Sequence, residues 1–345
     1  MSTFTLPFEA PIAELERQIE QLRRCEAQEH VCLKDDIKSL QAKQKSLIKQ
    51  VYSNLAPWDR VRIARHQERP VFTDYVRMMM DEFVEVHGDR AFGDDRSIVG
   101  GLGRIGQRRV MLIGQQKGRN TREKIEANFG MPHPEGLRKA KRLMLMAEKY
   151  RLPVVTFIDT PGAYPGIGAE ERGISFAIAD NLFHMARLRT PLLSVVIGEG
   201  CSGGALAVGE PDKLLMLEFA YYAVISPEGC AAILWRSGEK APVAAEAMRL
   251  TATDLVGMGI VDQIVPEPPG GAHRDPEKMA ATLKRYLHRS LDQLCRKDTD
   301  ALLTQRYQKY RKVGVYFEKG KLSSCLKRSV KRKIEGATVG RPKVV

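Results

Sequence analysis

The residues Gly200-Cys201-Ser202-Gly203-Gly204 follow directly on the apolar run Leu192 to Ile197. A short run ending in Val195, Val196 and Ile197 predicts a buried strand. Ser202-Gly203-Gly204-Ala205-Leu206-Ala207 predicts a helix start with Ser202 as its cap. A strand that feeds a helix through paired glycines leaves the first N–H groups without an intrahelical partner, and the helix dipole adds positive potential there. With no Cβ in the way, a ligand can approach that backbone closely. Such a turn can hold a carbonyl oxygen as it becomes an oxyanion. A side chain at Gly204 would then stand between the amides and their target. A glycine pair can also do no more than pack a helix closely on a sheet, and the turn alone does not separate the two readings.

The surrounding elements place a second turn beside the first. Leu152 to Asp159 predicts a strand ending in Thr160-Pro-Gly-Ala-Tyr-Pro-Gly166, followed by a helix from Ala169 to Arg187. Upstream, Ile98–Leu102 and Arg109–Gly114 read as strands, Gln115–Arg122 as a basic loop, and Pro134–Tyr150 as an amphipathic helix. Downstream come strands Leu214–Phe219 and Tyr222–Ser226 and a helix from Pro227. Repeated β-α units predict a mostly parallel sheet covered by helices. Both glycine-rich turns follow strands, so both lie at the carboxyl end of that sheet, where ligands bind in such folds.

The flanks read differently. Ile12, Leu15, Ile19 and Leu22, then Leu33, Ile37, Leu40, Leu47 and Val51, predict two amphipathic helices folded back as a hairpin. Gln44 takes one seam position, and Arg23–His30 breaks the phase. Pro57–Pro70 reads as a basic connection, Thr73–Val86 as a helix, and His87–Asp95 as a loop in which His87 is exposed. Lys278–Lys312 reads as a basic helical stretch, continuous or broken, ahead of a basic tail.

Two kinds of catalysis fit the first turn. Gly200 to Gly204 satisfies G-x-S-x-G, the nucleophile elbow of α/β-hydrolases, with Ser202 attacking and His273 or His288 as base. Neither histidine has an acidic partner in a recognisable context, and no HGGG-type segment is present. Cys201 reads as a packing residue rather than a nucleophile. The alternative uses no side-chain nucleophile: the N–H groups stabilise an enolate or a polarised carbonyl.

Composition narrows the classes. The 345 residues, 43% hydrophobic, suit one large domain with appendages or two domains. No apolar run is long enough to span a membrane and no signal-like start is seen. The six scattered cysteines read as cytosolic thiols and form no C-x-x-C pair, so no metal site is expected in this chain. The net charge of +13 favours an acidic partner, and about half of it sits in the tail from Lys321. That tail reads as a solvated appendage that could make nonspecific nucleic-acid contacts. A nucleic-acid-binding scaffold is the rival from another class, but no recognisable reader motif accompanies the charge.

Four segments carry a resemblance: Phe129–Met144, Phe157–Gly173, Gly198–Ala207 and Ile225–Trp235. In this order they resemble the bacterial acetyl-CoA carboxylase carboxyltransferase alpha subunits, from the N-terminal helices to about Gly320. Cys201 stands where that family's motif has the first Gly of Gly-Ser-Gly-Gly. The resemblance implies an α/β, crotonase-like (ClpP/crotonase) fold of repeated ββα units. It divides the chain into an N-terminal helical hairpin (1–55), a carboxyltransferase domain with C-terminal helices (56–320) and the tail (321–345). It implies carboxyl transfer from carboxybiotin, borne by a biotin carboxyl carrier protein, to acetyl-CoA, giving malonyl-CoA for fatty acid biosynthesis in the cytoplasm. It implies an α2β2 assembly with a zinc-bearing beta subunit, working with an ATP-using biotin carboxylase. By motif, Gly203, Gly204 and Ala205 would supply a backbone oxyanion hole. Ala163, Tyr164, Pro165 and Gly166, with Gly200 and Ser226, would contact substrate.

Overall fold

The computed structural model describes residues 4–29, 33–314, 317–318 and 321–322. Helices α1 (Ala10–Glu29) and α2 (Lys34–Ser53) form the expected hairpin. Ile19 and Ile37 are buried along it, and the polar seam residue Gln44 donates to Glu16 Oε1 at 3.0 Å. α1 runs on through Arg23–Glu29, where a break was expected. Arg, Glu, Ala and Gln are good helix formers and sustain an exposed turn without an apolar seam.

The hairpin is anchored at its base. Leu6, Ile12 and Tyr52 pack with Ile63 and Phe219. Glu9 accepts from Tyr52 Oη at 2.6 Å, Leu6 N at 3.0 Å and Arg274 Nη2 at 3.2 Å. His66 stacks on His273 with ring centroids 3.9 Å apart.

Two expectations fail next. Part of the basic connection is helix α3 (Pro57–Ala64), with proline at its start and Val61, Ile63 and Ala64 buried. The helix expected over Thr73–Val86 is only α4 (Phe72–Met79). The backbone turns extended at Met80, and β1 (Glu82–Glu85) pairs with β2 (Ile98–Ile105) instead. Sheet pairing there overrides a helical spacing that carries Phe83 and Val86 only by coincidence.

β3 (Arg108–Gln115) pairs antiparallel with β2. The basic loop after it holds α5 (Thr121–Glu126), capped by Asn120, whose side chain accepts from Glu123 N. Then follow α6 (Pro134–Lys149), β4 (Val154–Thr160), α7 (Ile167–Glu171) and α8 (Ile174–Arg187). The single helix expected over Ala169–Arg187 is split by Gly173, at φ 80°. β5 (Leu192–Cys201) extends past Ile197 through Gly198-Glu199-Gly200 into α9 (Ser202–Leu206). The chain continues through β6 (Lys213–Leu217), β7 (Tyr221–Ala223), α10 (Pro227–Trp235), α11 (Ala241–Met248), α12 (Ala252–Gly257) and β8 (Gln263–Val265). α13 (Pro276–Cys295) and α14 (Thr299–Arg311) are the broken basic stretch. One of its arginines, Arg306, is buried, paired with Asp212 at 2.8 Å and donating to the carbonyls of Met185, Leu188 and Thr190.

The sheet runs β1-β2-β3-β4-β5-β6-β8, with β7 alongside the end of β5. It is parallel from β3 onward and antiparallel at the β1–β3 edge. β2, β3 and α6 make one ββα unit. Every residue of β4 and β5 is buried, so helices cover both faces at the centre. Lys321–Leu322 (β10) pairs with Phe317–Glu318 (β9), and the rest of the tail lies outside the described residues. No helix among the described residues is long and apolar enough to cross a membrane.

The hairpin anchor is acid-sensitive. Burial, and then the neighbouring His273, lower the His66 pKa from 6.5 to about 4. The unfolded chain therefore takes up this proton first, and stability falls as pH drops from 6.5 toward 4. Burial alone would raise the Glu9 pKa, but bonds from His273, Tyr52 and Leu6 bring it to about 2. Its contribution is present above 4.5 and is lost only as pH falls toward 2. Protection factors of amides 33–53, taken against intrinsic exchange at each pH, should fall between pH 6.5 and 4 before those of β4 and β5 do, and His66→Phe should flatten the dependence in that window. Hairpin and sheet losing protection together would show that the anchor does not titrate on its own.

Candidate active site

The two glycine-rich turns leave the sheet side by side. β4 and β5 are parallel, and Thr160 sits opposite Gly200 in the register. Thr160 Oγ1 closes the first turn, accepting from Gly162 N at 3.1 Å and donating to Gly162 O at 2.7 Å. Gly162 itself has φ 149°. A Cβ on Gly204 would lie 2.5 Å from Gly162 C and 2.6 Å from Ala163 N. So Gly204 is glycine because backbone meets backbone there. The expected obstruction of an incoming carbonyl is not what its side chain would cause; it would push the turns apart. A Cβ on Gly203 would meet only Ile178 Cδ1, at 3.0 Å.

Ser202 is not the cap. Cys201 holds the extended N-cap position, and Ser202 is the first residue of α9, at φ 57°. Its left-handed backbone costs about 1–2 kcal/mol and turns the chain sharply from strand to helix. Among the described residues no acceptor pairs with the N–H groups of Gly203 or Gly204. Gly204 and Ala205 are buried, while Ser202 and Leu206 on either side are exposed.

The other expected site residues divide. Tyr164 N donates to Pro132 O at 3.1 Å, and its ring lies 4.2 Å from that of His133. Gly166 leaves room for that ring, since a Cβ there would lie 2.4 Å from Tyr164 Cε1. Ala163 and Tyr164 pack on Leu137, Ala169, Ile174, Ala177 and Ala207, and Pro165 is exposed. Ala163 to Gly166 therefore form a braced wall beside the amides. Gly200 lies inside the sheet, with Tyr222 Cδ2 2.5 Å from where its Cβ would be. Ser226 caps α10, accepting from Gly229 N at 3.1 Å. Both of these have structural work that the motif did not reveal.

Among the described residues no histidine pairs with Ser202. His288 pairs with Asp292 at 3.1 Å and lies near Gly106 in the β2–β3 turn, at the opposite end of β3 from Gln115. His273 is buried against His66 and Glu9 under the hairpin. Burial pushes the Cys201 thiol up to about 11, so it stays protonated at neutral pH. His87 is an exposed loop residue, as expected, beside Asp94 at 3.1 Å. Glu9, His66 and His273 do bring three potential metal ligands within 4.8 Å. Glu9 is held by Tyr52 and Arg274, and His66 Nδ1 accepts from Glu68 N while Nε2 faces Phe4 O, whereas His273 Nδ1 is buried without a hydrogen-bond partner.

A buried polar network behind the turns escaped the sequence reading. Gln115, fully buried at the end of β3, donates from Nε2 to Gly204 O at 2.7 Å and accepts from Asp159 N at 3.0 Å. Lys117 Nζ sits 2.8 Å from Asp159 Oδ1 and 2.5 Å from Glu199 Oε1. Asp159 Oδ1 also accepts from Glu199 N at 2.9 Å. Arg65 Nε reaches Glu199 Oε2 at 2.7 Å, and Tyr221 Oη donates to the same oxygen at 2.5 Å. Burial alone would raise the Glu199 pKa, but the charges of Lys117 and Arg65 bring it down to about 2. Burial disfavours charge on Lys117 too, and Asp159 and Glu199 more than compensate, holding it protonated.

The fold is shared with solved transcarboxylase, carboxylase and decarboxylase structures. The transcarboxylase 12S structure with methylmalonyl-coenzyme A and methylmalonic acid bound is similar at TM-score 0.51 and 21% identity, over 65% of this chain and 44% of that one. The beta subunit of P. aeruginosa geranyl-CoA carboxylase is similar at 0.52 and 19%, over 70% and 45%. A Pseudomonas malonate decarboxylase hetero-tetramer in complex with coenzyme A is similar at 0.51 and 18%, over 68% and 90%. The chain belongs to the acetyl co-enzyme A carboxylase carboxyltransferase-like family, which it matches over residues 5–314. The acetyl-coenzyme A carboxylase carboxyl transferase subunit alpha of Methylococcus capsulatus is 55% identical over 313 residues, 91% of this chain and 98% of that protein. The same-named protein of Burkholderia cenocepacia is 55% identical over 318 residues, 92% and 98%.

The turn geometry gives unequal costs. Gly204→Ala should destabilise the chain by about 1–3 kcal/mol through backbone overpacking, and Gly203→Ala by less, because the Ile178 tip can move. Ser202→Ala should change stability by less than about 0.5 kcal/mol, and a fluorophosphonate should not label Ser202. Denaturant unfolding of the three variants decides this; equal costs at Gly203 and Gly204 would mean that the two turns are not in backbone contact.

Proposed function

We propose that this chain is the alpha subunit of the carboxyltransferase of acetyl-CoA carboxylase. Carboxybiotin on the carrier protein and acetyl-CoA are its substrates, and malonyl-CoA is its product. The reaction breaks the N–C bond of carboxybiotin and forms a C–C bond at the acetyl methyl carbon. The methyl proton passes to the biotin nitrogen. The observation carrying this reading is the turn itself: Gly203 and Gly204 have unpartnered N–H groups between the exposed Ser202 and Leu206, and among the described residues no nucleophile–base pair stands next to them.

In that reaction the amides of Gly203, Gly204 and Ala205 hold the oxygen on which negative charge develops. They are fixed before substrate arrives, so little reorganisation is needed at the moment of transfer. A protein base is not required, because the biotin nitrogen accepts the proton. The Ala163–Gly166 wall limits how that oxygen can approach. Gly200 and Ser226 support the turn and α10 rather than touch substrate.

The site is incomplete in one chain. Ile167, Phe176 and Leu206 stand 80%, 75% and 42% exposed on α7, α8 and α9, the helices packed around the turns. An apolar rim of this kind suits a partner that closes the pocket. We assign that place to the beta subunit, in an α2β2 assembly in which beta carries the zinc. The carrier protein and the biotin carboxylase complete the system. The cytoplasm suits the thiols: Cys25, Cys201, Cys230 and Cys295 are all free.

The test is malonyl-CoA formation from carboxybiotin and acetyl-CoA by the purified chain with and without its beta partner. Turnover is expected only in the mixture. Robust turnover by the chain alone would contradict the shared site.

A further inference from the structure

Gln115 is a buried side chain that bridges the exits of β4 and β5. Its amide uses its two ends on two different strands' exits, the Gly204 carbonyl after β5 and the Asp159 N–H at the end of β4. A flipped amide would set donor against donor at Asp159 and acceptor against acceptor at Gly204, so one orientation alone satisfies both contacts. Gln115 is fully buried, so neither bond faces bulk solvent.

The consequence lies on the far side of a peptide plane. In a trans peptide the C=O of Gly204 and the N–H of Ala205 point in opposite directions. Holding the carbonyl inward at 2.7 Å turns the Ala205 N–H away from Gln115. Glycine at 204 has unusually free backbone torsions, so nothing in its own side chain would prevent that plane from rotating.

We infer that Gln115 is a positioning residue for carboxyl transfer: it fixes the rotation of the Gly204–Ala205 peptide and thereby aims the Ala205 N–H of the turn. It acts through the backbone and does not touch substrate. The inference rests on the oxyanion reading of the turn given above. The rest of the network keeps the strut in place. Lys117 ties Asp159 to Glu199, and Glu199 N donates to Asp159, so the ends of β4 and β5 cannot slide apart.

The test uses the complex of the full chain with its beta partner, carrying Gln115→Glu or Gln115→Met. Glu keeps the acceptor for Asp159 N–H and loses the donor to Gly204 O; Met loses both and introduces no charge. Two quantities are read. One is kcat and KM for acetyl-CoA. The other is amide exchange of Ala207, Val208 and Gly209, whose N–H groups bond to Gly203 O, Ala205 O and Leu206 O, with β1–β2 as internal control. Both variants should lower kcat by about 10²-fold, the scale of an ångström-level misplacement, with KM within about twofold. Exchange at Ala207–Gly209 should rise while β1–β2 stays unchanged. Unchanged exchange and unchanged kcat would overturn the inference at its first step, because the strut would not hold the turn. Raised exchange with unchanged kcat would overturn it at the second, because the turn would then not be the oxyanion site.

Discussion

How closely two backbones can approach governs the carboxyl end of this sheet. Gly204 lies against Gly162 and Ala163 with no room for a Cβ. That contact joins the exits of β4 and β5 into one rigid feature. Around it, Ser202 adopts a left-handed backbone, Gly162 takes a torsion suited to glycine, and Thr160 closes its own turn. Local strain of this sort persists only where the surroundings over-determine it. Here they do so through packing beneath the turns and hydrogen bonds behind them.

The network behind the turns explains why buried charge is tolerated. Desolvating a lysine and two carboxylates is costly unless each finds a partner at close range. Lys117, Asp159, Glu199 and Arg65 satisfy one another across the ends of β4 and β5 and from helix α3. Against its burial, Lys117 and Arg65 hold Glu199 near 2, Lys117 stays charged, and burial raises Asp159. The arrangement is a fixed frame behind the amides of the turn. The second anchored feature, the hairpin, is tied down by a separate cluster around Glu9 and carries no part of this frame.

The sequence was most legible where chemistry and structure ask for the same residue. Paired glycines after an apolar run marked both turns, and the β-α alternation put them at one end of a parallel sheet. Legibility failed where a residue's role is set by distant partners. Gln115 is one polar residue closing a strand, and nothing local distinguishes it from Gln116. Glu199 between two glycines resembles a loop residue, yet β5 runs on through it because β7 pairs there. Ser202 fitted the cap pattern, but the cap position depends on torsions that the strand exit imposes, and these passed it to Cys201. Phe83 and Val86 kept helical spacing by accident, and edge pairing with β2 decided their fate.

We propose that backbone amides, and not a side-chain nucleophile, meet the developing charge. A crystal structure of the chain assembled with its beta partner and biotin tests this most directly. The ureido oxygen is expected about 3 Å from at least two of the N–H groups of Gly203, Gly204 and Ala205, with the Gly204 carbonyl still on Gln115. A ureido oxygen held by side chains elsewhere, with these amides left to solvent, would contradict it.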